Sequence, residues 1–139
     1  MDIEKLLKAI DNDNNENILE TTSESLRQEL RAALSELELT KKTTDGLAEK
    51  LHNYKYVEGL SNLHSGAFIR WISLKNPDEL YLTNGAMLCD IKFNDDGICL
   101  VCKGFRGRHF QVRFDDCMIF QKLSDQEQVL LSALDYLSK

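Results

Sequence analysis

Cys99 and Cys102 are spaced like the two thiols of a metal site or a redox pair, so they are the first residues to weigh for chemistry. Their flanks, Ile98 and Leu100–Lys103, read as the interior of a strand, not as the knuckle turn that converges two sulfurs on one ion. On a strand, positions three apart face opposite sides. A zinc site would have to recruit Cys89, Cys117, His109 or His64 through tertiary folding, and no second CxxC or CxxH pair supports one. A redox pair is expected at the start of a helix, where the dipole lowers the thiol pKa, and that context is missing. The expectation is therefore reduced, largely buried thiols, with no metal and no cofactor. His52, His64 and His109 stand apart, outside any nucleophile elbow, phosphate loop or metalloprotease helix. Asp95–Asp96 and Asp115–Asp116 fall where turns are expected, and short carboxylates there serve the backbone. No catalytic residue is assigned, and the chain reads as non-enzymatic.

The segment with most binding chemistry is Lys103–Phe110, reading KGFRGRHF. It places Lys103, Arg106, Arg108 and His109 beside Phe105 and Phe110 around two glycines, and Arg113 follows on the expected strand. Between Gly97 and Phe114 there is no acidic residue. Arginine forks and exposed rings suit phosphate contact and base stacking, and suit an acidic protein surface equally well. The chain as a whole pulls the other way. Its 139 residues carry 17 Lys and Arg against 23 Asp and Glu, a net charge of -6. That balance excludes a protein that coats nucleic acid over its whole surface, so any polyanion site must be local. A protein partner is the expectation for this segment, with nucleic acid as the alternative.

Residues 1–20 read as a short amphipathic helix and a polar linker. Ile3, Leu6, Leu7 and Ile10 share one helical face that needs a partner, and Asp11–Asn17 (DNDNNEN) favours turns. Thr21 and Glu24 have the form of a capping box opening a long helix over 21–56. Its apolar seam runs Leu26, Leu30, Ala33, Leu37, Thr40, Thr44, Leu47, Leu51 and Tyr54 in alternating steps of four and three. Such a seam is the condition for a left-handed coiled coil, and Glu36 with Lys41 favours a parallel partner helix. The expectation is a parallel homo-oligomer, dimer or trimer, joined through Leu26, Leu30, Ala33, Leu37, Leu47, Leu51 and Tyr54. Thr40, Thr44 and a repulsive Lys50–Lys55 pair weaken its far end. The competing reading is an amphipathic helix packed on its own domain.

From residue 57 the composition turns to short runs of Ile, Val, Phe, Tyr and Trp separated by Gly, Asn and Asp, which is strand and turn chemistry. Expected strands are Ala67–Leu74, Leu80–Thr83, Ala86–Phe93, Ile98–Lys103, Arg108–Phe114 and Cys117–Gln121. Asn84–Gly85 between the second and third is the signature of a two-residue hairpin. Ser124 and Glu127 form another capping box, opening a helix that carries Leu130, Leu131, Leu134 and Leu137 and ends near Ser138. The fold class is α+β: an N-terminal helix and coiled coil, then residues 57–139 as a small antiparallel β-meander or barrel closed by the C-terminal helix.

The residues Phe68–Ile72, Leu82–Gly85 with Cys89–Ile91, and Phe120–Ser124 through Gln126–Glu127 to Asp135–Leu137 resemble small proteins of nucleocytoplasmic large DNA viruses. The resemblance covers about residues 65–137 and brings no catalytic residue. It implies a viral protein in the cytoplasm or virion, with a structural part in particle assembly. A cytoplasmic setting also fits the four cysteines, and no stretch approaches the roughly 20 apolar residues of a membrane span. The expected role is homo-oligomeric assembly or scaffolding that presents several β domains to a protein partner.

Overall fold

A computed structural model describes residues 3–12, 15, 18 and 21–137. The chain is α+β and divides into two compact units, one of residues 1–55 and 123–139, the other of residues 56–122.

The first unit is helical: α1 (Ile3–Asp11), α2 (Ser23–Ser35), α3 (Lys41–Lys50) and α4 (Asp125–Leu137). α2 starts one residue later than its expected box, because Thr22, not Thr21, caps it by accepting from the Ser25 N–H at 3.1 Å. The expected uninterrupted helix over 21–56 is instead two helices. α2 stops at Ser35, Glu38 takes a left-handed conformation (φ 55°), and Thr40 caps α3 by accepting from the Thr43 N–H. Read as a seam position, Thr40 is a helix start, because its short hydroxyl competes for backbone amides better than it packs. α2 and α3 contact each other, and an Arg31–Asp45 ion pair at 3.0 Å links them. Leu30, Ala33 and Leu51 are buried within the single chain, so the seam does not present itself as one continuous ridge.

α4 begins with the full reciprocal box. The Glu127 N–H donates to Ser124 Oγ at 3.1 Å, and the Ser124 N–H donates to Glu127 Oε1 at 3.0 Å. The other carboxylate oxygen of Glu127 accepts from Lys55 Nζ at 2.7 Å, with both side chains 4% exposed. Lys55, read as a repelling coiled-coil position, is thus the buried partner of an acid. α1 packs on α4 through Leu6 and Ala9, which join a cluster with Ile18, Leu123, Leu130 and Leu131. Asn12 and Asn15 fasten its end to the Gln126 side chain at 2.7 and 3.2 Å. Of the four residues of the expected apolar face of α1, Leu6 packs inward, whereas Ile3, Leu7 and Ile10 remain 68%, 55% and 43% exposed. The expected end of α4 near Ser138 lies outside the described residues, as do several linker positions between 13 and 20.

The strands form an antiparallel six-stranded sheet, of which β2 to β6 lie in the second unit: β1 (Tyr54–Tyr56), β2 (Phe68–Ser73), β3 (Ala86–Asn94), β4 (Gly97–Lys103), β5 (His109–Arg113) and β6 (Cys117–Lys122). Its order, β1-β6-β2-β3-β4-β5, contains the meander β2 to β5, with β6 returning to the far side of β2. The sheet is not closed; β1 and β5 are its outer strands. It is nevertheless curled, since only the three residues Phe114–Asp116 join β5 to β6, and the Trp71 and Phe110 rings meet across the curve at 5.9 Å. Ile69, Ala86, Leu88, Leu100, Cys102, Val112 and Ile119 form the core on that inner face. Val57 and Leu63 join it, and Gln121 holds this covering segment by accepting from the His64 N–H and donating to the Asn62 carbonyl.

Two expected strand features change. Residues 80–83 form no strand; a lone bridge, Ile72↔Leu82, and the Thr83–Trp71 bonds lay this segment beside β2. Asn84–Gly85 therefore does not turn a hairpin. Gly85 (φ +93°) instead passes so close to β2 that a Cβ would overlap the Ile69 carbonyl oxygen. β1 is a strand where the heptad pattern ran to Tyr54, and the Val57 N–H beyond it donates to the Ile119 carbonyl at 2.9 Å.

Candidate functional site

The β4–β5 hairpin positions the basic-aromatic segment. Register pairs Cys99 with Arg113, Leu100 with Val112, Cys102 with Phe110 and Lys103 with His109. Alternation turns Phe110 and Val112 toward the inner face and His109, Gln111 and Arg113 away from it. The tip is fixed by main-chain bonds: the Gly104 N–H donates to the Arg108 carbonyl, and the Gly107 N–H donates to the Gly104 carbonyl, each at 3.0 Å. Gly107 (φ +76°) supplies the left-handed residue that this tight loop requires. Phe105 is 94% exposed at the tip, and Lys103, Arg106, Arg108 and His109 are exposed around it. Among the described residues, Lys103, Arg106 and Arg108 make no ion pair.

Two members of the expected site stand elsewhere. Arg113 lies at the opposite end of β5, where its guanidinium donates to the Asp96 carbonyl and pairs with Asp116 at 3.4 Å. Phe110 is partly spent on Trp71. The site therefore contracts to Lys103, Phe105, Arg106, Arg108 and His109. Its electrostatic surroundings are milder than the chain's total charge suggests: residues 56–122 hold eight basic and eight acidic side chains, and the acidic excess belongs to the helical unit.

Cys99 and Cys102 both lie on β4, in register with different neighbours, and are free thiols, as are Cys89 and Cys117. Burial pushes the Cys102 thiol up to about 11, with the nearby Cys89 and Cys117 adding to the shift. Burial, then the Asp116 carboxylate, raises Cys117 as well, against a small opposing pull from Lys75. Both stay protonated at neutral pH, which makes them poor nucleophiles and poor metal ligands. Among the described residues no group of three His, Cys, Asp or Glu is placed to hold a metal ion. The acidic pairs serve structure: the Asp96 N–H donates to Asn94 Oδ1 in the β3–β4 turn, and Asp116 pairs with Arg113 and Lys75.

Of the seam residues, Leu26, Leu30, Leu51 and Tyr54 line a cavity of about 570 Å³ in the helical unit, whereas Ala33 is buried and Leu37 and Leu47 are half-buried. Leu123 and Leu131 complete its apolar floor, and the exposed Arg27, Arg31 and Glu49 stand at its rim. Sequence reasoning did not single out Arg27 or the cavity, because residues from α2, α3 and α4 converge there only after folding. Compared with known protein families, curated proteins and solved structures, the chain matches none. No helix among the described residues is long and apolar enough to cross a membrane.

Proposed function

We propose that the protein is a non-catalytic binding module whose β4–β5 hairpin engages an acidic segment of a partner protein. The observation that carries this reading is the tip itself: three cations that form no ion pair among the described residues, around a 94%-exposed Phe105, on a loop closed by its own main-chain bonds. A preordered tip loses little freedom on binding, and an aromatic anchor beside arginines is the usual make-up of an interface hot spot. A short acidic segment fits this small footprint better than a long polyanion, which the chain's net charge of -6 disfavours. The resemblance to viral proteins suggests a cytoplasmic or virion setting with a part in assembly, where several copies would engage a repetitive partner by avidity.

The test is fluorescence anisotropy of a labelled oligoglutamate peptide and of a single-stranded oligonucleotide against the full chain, at low and high salt. Binding of the peptide that weakens roughly tenfold in Arg106→Ala/Arg108→Ala, with the melting temperature unchanged, supports the reading. Tight oligonucleotide binding with a steep salt slope would move the function to nucleic acid, for which the exposed Phe105 beside Arg106 is the favouring feature. No binding of either would remove the hairpin as a site.

A further inference from the structure

Beside the cationic tip, the sheet leaves a row of main-chain donors and acceptors open. The Gly104 N–H donates to the Arg108 carbonyl, which makes that pair a bonded rung of the β4–β5 ladder. Bonded and unbonded rungs alternate along an antiparallel ladder, so Lys103–His109 and Val101–Gln111 are unbonded and their main-chain groups point away from the partner strand. On β5, the outer strand, this turns the N–H and C=O of His109 and Gln111 toward the open edge. Among the described residues no main-chain bond from another segment meets them, and His109, Phe110 and Gln111 are exposed.

Charge along this edge is uneven. Lys103, Arg106, Arg108 and His109 gather at its start, and no acidic residue stands between Gly97 and Phe114. Asp95 and Asp96 in the β3–β4 turn, and Asp115 and Asp116 after β5, all lie at the other end, where Asp96 and Asp116 hold Arg113. Asp90 is on β3, with β4 between it and the edge. An occupant that follows the edge therefore meets its cations at the tip end. The side chains alternate as well: His109 and Gln111 lie on the outer face, and Phe110, 38% exposed, lies on the inner one.

We propose that the acidic partner segment binds in extended form along β5, continuing the sheet through His109 and Gln111, with its carboxylates at the tip end and apolar side chains beside Phe110. This rests on the reading of the hairpin as an acid-binding site and adds the shape of the occupant: a strand, acidic at one end and alternating in polarity along the rest. Main-chain pairing supplies affinity, while the tip cations select the partner and fix its register.

Fluorescence anisotropy with the full chain tests this, using a labelled peptide of three glutamates joined to a Val-Thr-Val-Thr run, made in both orders. Gln111→Pro removes an outward N–H and no β4–β5 bond, and proline is tolerated at such an edge position. It should weaken binding about tenfold or more with melting near wild type, whereas Gln111→Ala, which keeps the N–H, should bind as wild type does. The same peptide N-methylated throughout its Val-Thr run keeps its charge and side chains but cannot pair, and should lose a similar factor. If Gln111→Pro melts early, the methylated peptide decides alone. Undiminished binding by a folded Gln111→Pro, or of the methylated peptide, would overturn strand addition and leave the acid-binding reading standing. No binding of either the parent peptide or oligoglutamate would overturn both.

Discussion

Replacing Lys55 with methionine strikes the point where the helical unit depends most on one polar contact. Lys55 Nζ and Glu127 Oε2 are 2.7 Å apart and both side chains are 4% exposed, so the small values typical of surface pairs do not apply. At an effective dielectric of about 20, the attraction at that distance is about 6 kcal/mol, against a desolvation cost of several kcal/mol for each ion. The pair is therefore worth little net against an apolar substitute, while losing one partner strands a buried charge. Lys55→Met should destabilise by about 3–5 kcal/mol, a large share of a total near 5–15 kcal/mol. In the double variant Lys55→Met/Glu127→Gln, the amide oxygen can still accept from the Ser124 N–H. That double variant should recover most of the loss and lie within about 2 kcal/mol of wild type. Urea unfolding of the four proteins of the cycle measures this. A single-variant loss below about 1 kcal/mol, or a double variant no more stable than Lys55→Met, would refute the claim that the pair is sealed from water.

The remaining expectations are simpler. Below pH 9 the Cys102 thiol is protonated in both folded and unfolded chains, so its contribution is intact. Between the ordinary value of 9.0 and the folded value of about 11 the unfolded chain ionises first, and stability should fall by about 2–3 kcal/mol. Cys102→Ala should flatten that alkaline limb in denaturation curves taken from pH 8 to 11. An identical limb in the variant would place the loss elsewhere. Gly85→Ala puts a Cβ against the Ile69 carbonyl, the Phe68 ring and the Arg70 stem at a positive φ, and should cost about 2–4 kcal/mol in thermal or urea melts. Glu38→Gly relieves the left-handed strain in the α2–α3 turn and should stabilise by up to about 1 kcal/mol. A clear destabilisation would contradict the turn.

Where a signal is local, the residues revealed their structure directly. Ser124 and Glu127 bond as the capping box requires, and the Asn94–Gly97 turn joins the strands it was expected to join. The basic-aromatic loop was legible because Lys103–His109 is contiguous, so one hairpin suffices to assemble it. Arg113 was misplaced for the complementary reason: six sequence positions beyond Gly107 put it at the far end of a strand, where Asp96 and Asp116 claim it. The heptad run did not foretell the break into two helices, because nothing in its four-three spacing marks Thr40 as a helix start or Glu38 as a turn. Asn84–Gly85 misled because a glycine that allows close approach to a neighbouring strand resembles one that turns a hairpin. The cavity needed α2, α3 and α4 together, and no spacing along the chain encodes such a meeting.

The outward rim of β5 has one more consequence. As the last strand of an unclosed sheet, β5 offers a ladder of main-chain groups that a strand from any other molecule can continue. Lys103, opposite His109 at one end of this rim, with Arg106 and Arg108 at the tip, places like charges where two such rims would abut, whereas Arg113 at the other end is tied to Asp116. Those cations deter fibrillar growth, and neutralising them wholesale should bring precipitation.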